Sequence, residues 1–363
     1  MKISMALYFL KSGIIMLLNK KNVERCGSQD AGYSNEGHKM KIRADKITVM
    51  LDVNVESKLY KFLYKRLRYT GNKSWKHYET RLIKNKHKDK RPDRYRWAIL
   101  IFKNGRMLIH IDFDPINKHA AAVRLDIRPQ HLEPEEMDKL IKWLDDRMKG
   151  ELLALLRTAW ITQVDVALDL YGCWLDDYIW GVKRIRRDDS YLSTDGLPGV
   201  RLGSVRSDLH MLVYEKVDIT GSTRKFREVD GKLEINLNDH PMFLRIEARV
   251  KPDAKPGSKR KKGKQKEPVM LKELHKMANP FERLEVYKTG LDTYLEIDKF
   301  FRERPKSFTL NAWKRHMRLS QNTRRISRKI EGIIEKHKIE LFDKEQVWKL
   351  WTKCLKRLGL LVR

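Results

Sequence analysis

Two short segments of strict two-residue alternation restrict this chain to folds that contain a sheet with one charged face. In Val164-Asp-Val-Ala-Leu-Asp-Leu170, the residues Val164, Val166, Leu168 and Leu170 fall on one side of an extended chain. Asp165, Ala167 and Asp169 fall on the other, because successive side chains of a strand point to opposite faces. In Leu244-Arg-Ile-Glu-Ala-Arg-Val250 the apolar side is Leu244, Ile246, Ala248 and Val250, and Arg245, Glu247 and Arg249 share the other. Taken alone, either segment is an ordinary solvated outer face of an antiparallel sheet. Placed side by side, they bring Glu247 to Asp165 and Asp169. Three hard oxygen donors of that kind suit Mg2+ or Mn2+, which accept a few protein carboxylates and fill their remaining positions with water and phosphate oxygens.

Similar patterning places the elements around this pair. Strands are expected at Lys46–Val53, Trp97–Lys103, Met107–Asp114, Ala122–Ile127, Val200–Gly203 and Leu209–Lys216, with a hairpin turn at Asn104-Gly105. Helical spacing runs from Ser57 to Leu82 and from Pro134 to Arg157, the second with acidic residues in its first turn. A short helix is expected around Asp176–Arg186, and a turn-rich loop over Asp188–Gly199. Residues 40–251 therefore predict an α+β core, a mainly antiparallel sheet with covering helices, since strands and helices do not alternate as βαβ units would require.

The flanks differ from this core. Lys251–Lys266 holds eight Lys or Arg with two Pro and two Gly, so residues 252–267 are expected to be a basic linker. Residues 268–363 predict a C-terminal helical DNA-binding module, with helices at Asn322–Lys338 and Lys344–Leu358, and with Trp313, Trp348 and Trp351 as core anchors. At the other end, Met5–Leu18 is apolar but interrupted by Lys11 and Ser12, and is shorter than a bilayer span needs. Residues 1–39 are expected to be a dispensable leader, with the folded protein starting near Met40.

Charge narrows the choice of partner. Against 48 Asp and Glu stand 78 Lys and Arg, a formal net charge of +30 in 363 residues. Neutralising phosphates is the main use of such an excess, so a nucleic acid is the expected partner, and no membrane. Apolar residues make up 41%, enough to bury a sizeable core. Cys26, Cys173 and Cys354 lie far apart with no pair at zinc spacing, which argues against a disulfide framework and for the cytoplasm.

In order along the chain stand Asp165-Val-Ala-Leu-Asp169, Gly203-Ser-Val-Arg-Ser207, Val213-Tyr-Glu-Lys216 and Arg245-Ile-Glu-Ala-Arg249. This succession, over about 90 residues, resembles the core of the replication initiation factor family. That family comprises the rolling-circle initiators of plasmids and phages and the related transfer relaxases of mobile elements. The resemblance implies a divalent-metal-dependent endonuclease that starts DNA replication by nicking one strand with a tyrosine, leaving a 5′-phosphotyrosyl link and a free 3′-OH. It implies Asp165, Asp169 and Glu247 as metal ligands and Arg206, Lys216 and Arg245 as phosphate contacts; Lys259, Arg260, Lys261 and Lys262 of the basic linker would add DNA contacts. DNA, single- and double-stranded at an origin, would be the partner, with a host helicase and a second copy of the chain as further ones.

The chain departs from the family at one place: the family tyrosine falls on Arg201. Tyr191, in the expected loop, is the substitute nucleophile; Tyr214 reads as a packing or orienting residue. Without a tyrosine near the metal, the chain would be an origin-binding or control protein that does not nick, and net charge alone leaves an RNA-binding protein open as a third reading. Two enzyme classes are disfavoured, since no His-hydrophobe-His pair and no phosphate-binding Gly-x-x-x-x-Gly-Lys-Ser/Thr run is present.

Overall fold

The computed structural model describes residues 15–20, 23–24, 28–73, 75–85, 95–117, 120–185, 187–193, 196–223, 225–252, 268–288, 332 and 335–362. Its centre is a twelve-stranded sheet. Ten strands form a continuous path: β1 (Lys39–Leu51), β2 (Glu79–Lys84), β3 (Tyr95–Lys103), β4 (Arg106–Pro115), β5 (Val123–Ile127), β6 (Trp160–Tyr171), β7 (Asp188–Leu192), β8 (Pro198–Leu202), β9 (Leu209–Asp218) and β10 (Met242–Val250). Their spatial order is β7-β8-β9-β10-β6-β1-β5-β4-β3-β2, and every neighbouring pair is antiparallel. The mainly antiparallel α+β class expected from the sequence is the observed one.

The alternation works as physical chemistry requires. Val164, Val166, Leu168 and Leu170 of β6 are buried, as are Leu244, Ile246 and Ala248 of β10. They face one large apolar cluster with Ile42, Ile47 and Val49 of β1. Helices cover this face. The first, α1 (Lys58–Gly71), is opened by Ser57, whose hydroxyl accepts the Tyr60 N–H at 3.0 Å. Next comes α2 (Pro134–Arg147), with proline at its first position and Glu136 reaching back to the Glu133 N–H at 3.1 Å. Glycine at position 150, at φ 89°, lets the chain turn sharply into α3 (Glu151–Leu156).

Several expected elements are corrected. The helix from Ser57 stops at Gly71, and its tail instead becomes the edge strand β2. The segment expected to be helical after Asp176 is a strand, Tyr178–Val182, paired antiparallel with Leu284–Lys288. Its aromatic and β-branched side chains are buried on both faces, which favours a strand over an amphipathic helix. Asp188–Gly199 is not a loop but the hairpin of β7 and β8, from Asp188↔Leu202 to Leu192↔Pro198. The expected helix Lys344–Leu358 is broken into α4 (Lys344–Lys349) and α5 (Trp351–Lys356).

The two flanks also join the fold. Ile15–Asn19 pairs with Lys232–Asn236, Gln29–Tyr33 pairs with β1, and Leu18 and Val23 share a small apolar cluster with Val217 and Ile235. The expected dispensable leader therefore contributes strands and core over its described residues. Likewise the expectation of a separate C-terminal module gives way, over the described residues, to one shared core. Leu271, Phe281, Val286, Phe342, Trp351 and Leu355 belong to the same cluster as β1, β6 and β10. The linker cations Lys259, Arg260, Lys261 and Lys262, Trp313, and most of Asn322–Lys338 lie outside the described residues. Cys173 and Cys354 are buried free thiols. Among the described residues no helix is long and apolar enough to cross a membrane.

Candidate metal and phosphodiester site

Strands β6 and β10 are neighbours, in the register Arg245↔Asp169, Glu247↔Ala167 and Arg249↔Asp165. The side chains opposite the apolar core thus line one polar shelf, continued by β1 on one side and by β9, β8 and β7 on the other. On this shelf the acidic residues form two groups, linked by Arg245, whose Nη1–H donates to Asp45 Oδ1 at 3.0 Å.

Asp169 belongs to an ion-pair knot. It is 0% exposed, and Arg245, also 0% exposed, donates Nε–H to Oδ1 at 2.7 Å and Nη2–H to Oδ2 at 2.9 Å. Arg43 of β1 donates to Oδ2 as well, at 2.5 Å. Asp169 therefore has both oxygens engaged by guanidinium groups, and Arg245, expected to contact phosphate, is held inside the protein. Lys216 is buried too, with its ammonium 5.8 Å from the centre of the Tyr214 ring. Arg206 is exposed, in the turn between β8 and β9.

The second group is Asp45, Asp165 and Glu247, each of which places a carboxylate oxygen within 4.8 Å of the other two. Asp45 has no partner in the β1–β6 ladder: Ala44 opposes Val166 and Lys46 opposes Asp165, so Asp45 is the extra residue of a bulge. A bulge of this kind re-aims a side chain without disturbing the alternation around it. Ile42 and Ile47 both keep their core positions while Asp45 turns onto the shelf. Sequence reading missed Asp45, because the strand pattern becomes regular only at Lys46. Asp165 and Glu247, named from the sequence, are brought together; Asp169 is not.

The three carboxylates repel one another. Burial first, and the Glu247 and Asp45 charges after it, push the Asp165 carboxyl up to about 7 despite the Arg249 guanidinium beside it. Arg249 spans the pair, donating Nε–H to both Asp165 oxygens at 3.2 and 3.1 Å and Nη2–H to Glu247 at 2.8 Å. Gln163 donates to Asp165 at 2.9 Å, and the Tyr214 hydroxyl donates to Glu247 at 2.7 Å. Tyr214 is thus committed to orienting Glu247, as a packing tyrosine should be. The donor set consists of hard oxygens already crowded together, so these residues fit a small divalent cation.

Tyr191 is on the same shelf. It lies on the edge strand β7 opposite Gly199, which in turn lies opposite Tyr214. A Cβ on Gly199 would fall 2.7 Å from the Tyr191 ring, so the ring lies flat over a position where only glycine leaves room. The Arg201 guanidinium sits 5.5 Å from the ring centre. Burial and the Glu247 charge push the Tyr191 hydroxyl up to about 12. His210, directly opposite Arg249 in the ladder, is 1% exposed and has neither ring nitrogen hydrogen-bonded among the described residues; no motif in the sequence singled it out.

No protein-family model matches the chain, and no curated protein matches it. Among solved structures, the chain is similar to a rolling circle replication initiator protein from Geobacillus stearothermophilus. The TM-score is 0.31 at 16% identity, covering 59% of this chain and 75% of that one.

Proposed function

We propose that this chain is a DNA replication initiator of the rolling-circle type, which nicks and rejoins one strand at an origin through Tyr191. A divalent cation, Mg2+ or Mn2+, would be held by Asp45, Asp165 and Glu247. The observation that carries the reading is the presence on one sheet face of a tyrosine, a carboxylate triad and Arg249. The order of the motifs from Asp165 to Arg249, which resembles the replication initiation factor family, is in keeping with it.

In this reading the Tyr191 oxygen attacks the scissile phosphorus. A tyrosine–phosphorus bond forms, the bond to the 3′ oxygen breaks, the phenolic proton leaves to water or a carboxylate, and the 3′ oxygen takes up a proton. Rejoining is the reverse, with the 3′-OH as nucleophile. When bound, the cation supplies charge to the phosphate oxygens and lowers the barrier electrostatically. Tyr214 fixes the Glu247 carboxylate, Arg249 fixes Glu247 and Asp165 relative to each other, and Gly199 lets the Tyr191 ring lie inward. Tyr191 is a neutral phenol at neutral pH, as any tyrosine is, and burial holds its proton more tightly, so that proton must be removed as the bond forms.

Incubating the protein with supercoiled origin DNA and Mg2+ or Mn2+ tests the proposal. A covalent protein–DNA adduct that withstands denaturation, and is absent in Tyr191→Phe, is the expected result. The competing reading is a control protein that binds an origin without nicking, favoured by Arg201 in the family's tyrosine position. Specific binding with no adduct would establish it, and a preference for structured RNA would replace both.

A further inference from the structure

The nicking shelf is close to neutral through its own pairings, since Arg43 and Arg245 are held by Asp169, and Arg249 by Asp165 and Glu247. A different surface carries cations that no carboxylate holds. Helix α1 contains Lys58, Lys61, Lys65, Arg66 and Arg68 and no acidic residue. None of them pairs with a carboxylate among the described residues. The helix lies on the apolar side of the sheet: it buries Leu63 and Leu67, and a Cβ on Gly71 would meet Ile99 and Leu82 at 3.1 Å. Its outer surface therefore faces away from the shelf.

Aromatic rings, in place of carboxylates, hold Arg66 and Arg68 and their neighbours Lys73 and Arg147. Arg66 and Lys73 sit 5.3 and 4.5 Å from the centre of the Tyr69 ring, which is 42% exposed. Arg147, at the end of α2, lies 4.3 Å from the Trp75 ring, and its carbonyl accepts the Arg66 Nε–H at 2.6 Å. On the other flank Arg68 lies 4.5 Å from the Trp97 ring. Contact with a ring positions a cation without cancelling its charge. Each of these rings has a cation against it, an arrangement that presents charge to a phosphate backbone. Lys58, Lys61 and Lys65 follow one crest, with Lys58 and Lys65 separated by about 10 Å of helix rise.

We propose that α1, with Lys73 and Arg147, is a binding surface for the phosphate backbone of double-stranded DNA, separate from the nicking shelf. The proposal rests on the DNA reading above. It explains how a shelf with internally paired arginines is brought to a duplex.

The test uses the full chain with Lys61→Gln, Lys65→Gln and Lys73→Gln combined, all exposed positions outside the shelf. At about 150 mM salt, duplex affinity should fall about tenfold or more, and the slope of log Kd against log salt should drop by about 2 to 3. Cleavage of a single-stranded oligonucleotide should stay unchanged. The corresponding Lys→Arg triple variant should bind as the parent does, which separates charge from folding. Unchanged duplex affinity and slope in the Gln variant would overturn the proposal while leaving the nicking reading intact. A parent protein that prefers duplex RNA would overturn the assignment to DNA. A parent that binds neither nucleic acid would remove both proposals.

Discussion

Arg245 and Asp169 face each other across β10 and β6, joined by two hydrogen bonds of 2.7 and 2.9 Å, with neither side chain exposed. Arg43 is a third member, and the Arg245 Nη1–H also donates to Asp45 at 3.0 Å, so the knot is tied to the group of Asp45, Asp165 and Glu247. Removing one partner of a buried pair leaves an uncompensated charge, which costs about 3–5 kcal/mol. Asp169→Asn should therefore destabilise the fold by that order in urea unfolding. Asp165→Asn should cost far less, since its carboxyl is already pushed up to about 7 by burial and by like charges. Equal losses in the two variants would place Asp165 in the structural network.

Asp45 reaches the triad through a bulge and is the least buried of the three. Asp45→Asn should lower Mn2+ affinity by at least about tenfold, the scale on which metal sites respond to loss of supporting ligands. Calorimetric titration of the folded variant measures this. Mn2+ binding equal to the parent's would remove Asp45 from the site.

Gly199 sits beneath the Tyr191 ring. Gly199→Ala should displace the ring and slow adduct formation by about a hundredfold, as misplacing a reacting group by an ångström does. Duplex affinity should hold, because α1 is untouched. Gel assays of both properties decide the matter; a full rate of adduct formation would mean that Tyr191 does not react from this position.

Glu215 lies on the core side of β9, 5% exposed, and accepts the Leu175 N–H at 3.1 Å. Burial, helped by Asp176 and Asp177, pushes its carboxyl from 4.5 up to about 7. The folded state then holds this proton more tightly than the unfolded chain does. Stability should fall as pH rises from about 4.5 to 7 and level off above. Glu215→Gln keeps an acceptor for Leu175 and should raise stability at pH 8 by about 1–3 kcal/mol, with little effect near pH 4.5. Thermal melts across this range check the sign.

Trp351, 1% exposed, donates its indole N–H to the Leu274 carbonyl at 3.1 Å within the shared core. Trp351→Ala should cost about 3–5 kcal/mol and shift one cooperative transition of the whole described core. A separate early transition, with the β-sheet signal unchanged, would show that the C-terminal segments fold on their own.

Much of this architecture was legible in the residues. Alternation at 164–170 and 244–250 gave two strands with charged faces, and the pairing of those strands brought Asp165 and Glu247 together. Proline and acidic residues at the start of α2 marked its beginning correctly. Tyr191 was named from the residues, but its expected loop is an edge strand whose hairpin partner supplies the glycine beneath the ring. Tyr178–Val182 misled because an element buried on both faces has no amphipathic period to read.

Two-residue periodicity is a local property, carried by each strand's own side chains, and it announced which faces would be polar before any contact was known. Which partners a carboxylate on such a face meets is a long-range outcome. Asp165 and Asp169 sit four positions apart on the same face of one strand and look equivalent in the sequence. Their surroundings diverge because Arg43 and Arg245 converge on Asp169, while Arg249, Gln163, Glu247 and the bulged Asp45, itself bonded by Arg245, gather around Asp165. These encounters join residues up to two hundred positions apart, so only packing of the assembled sheet could set them.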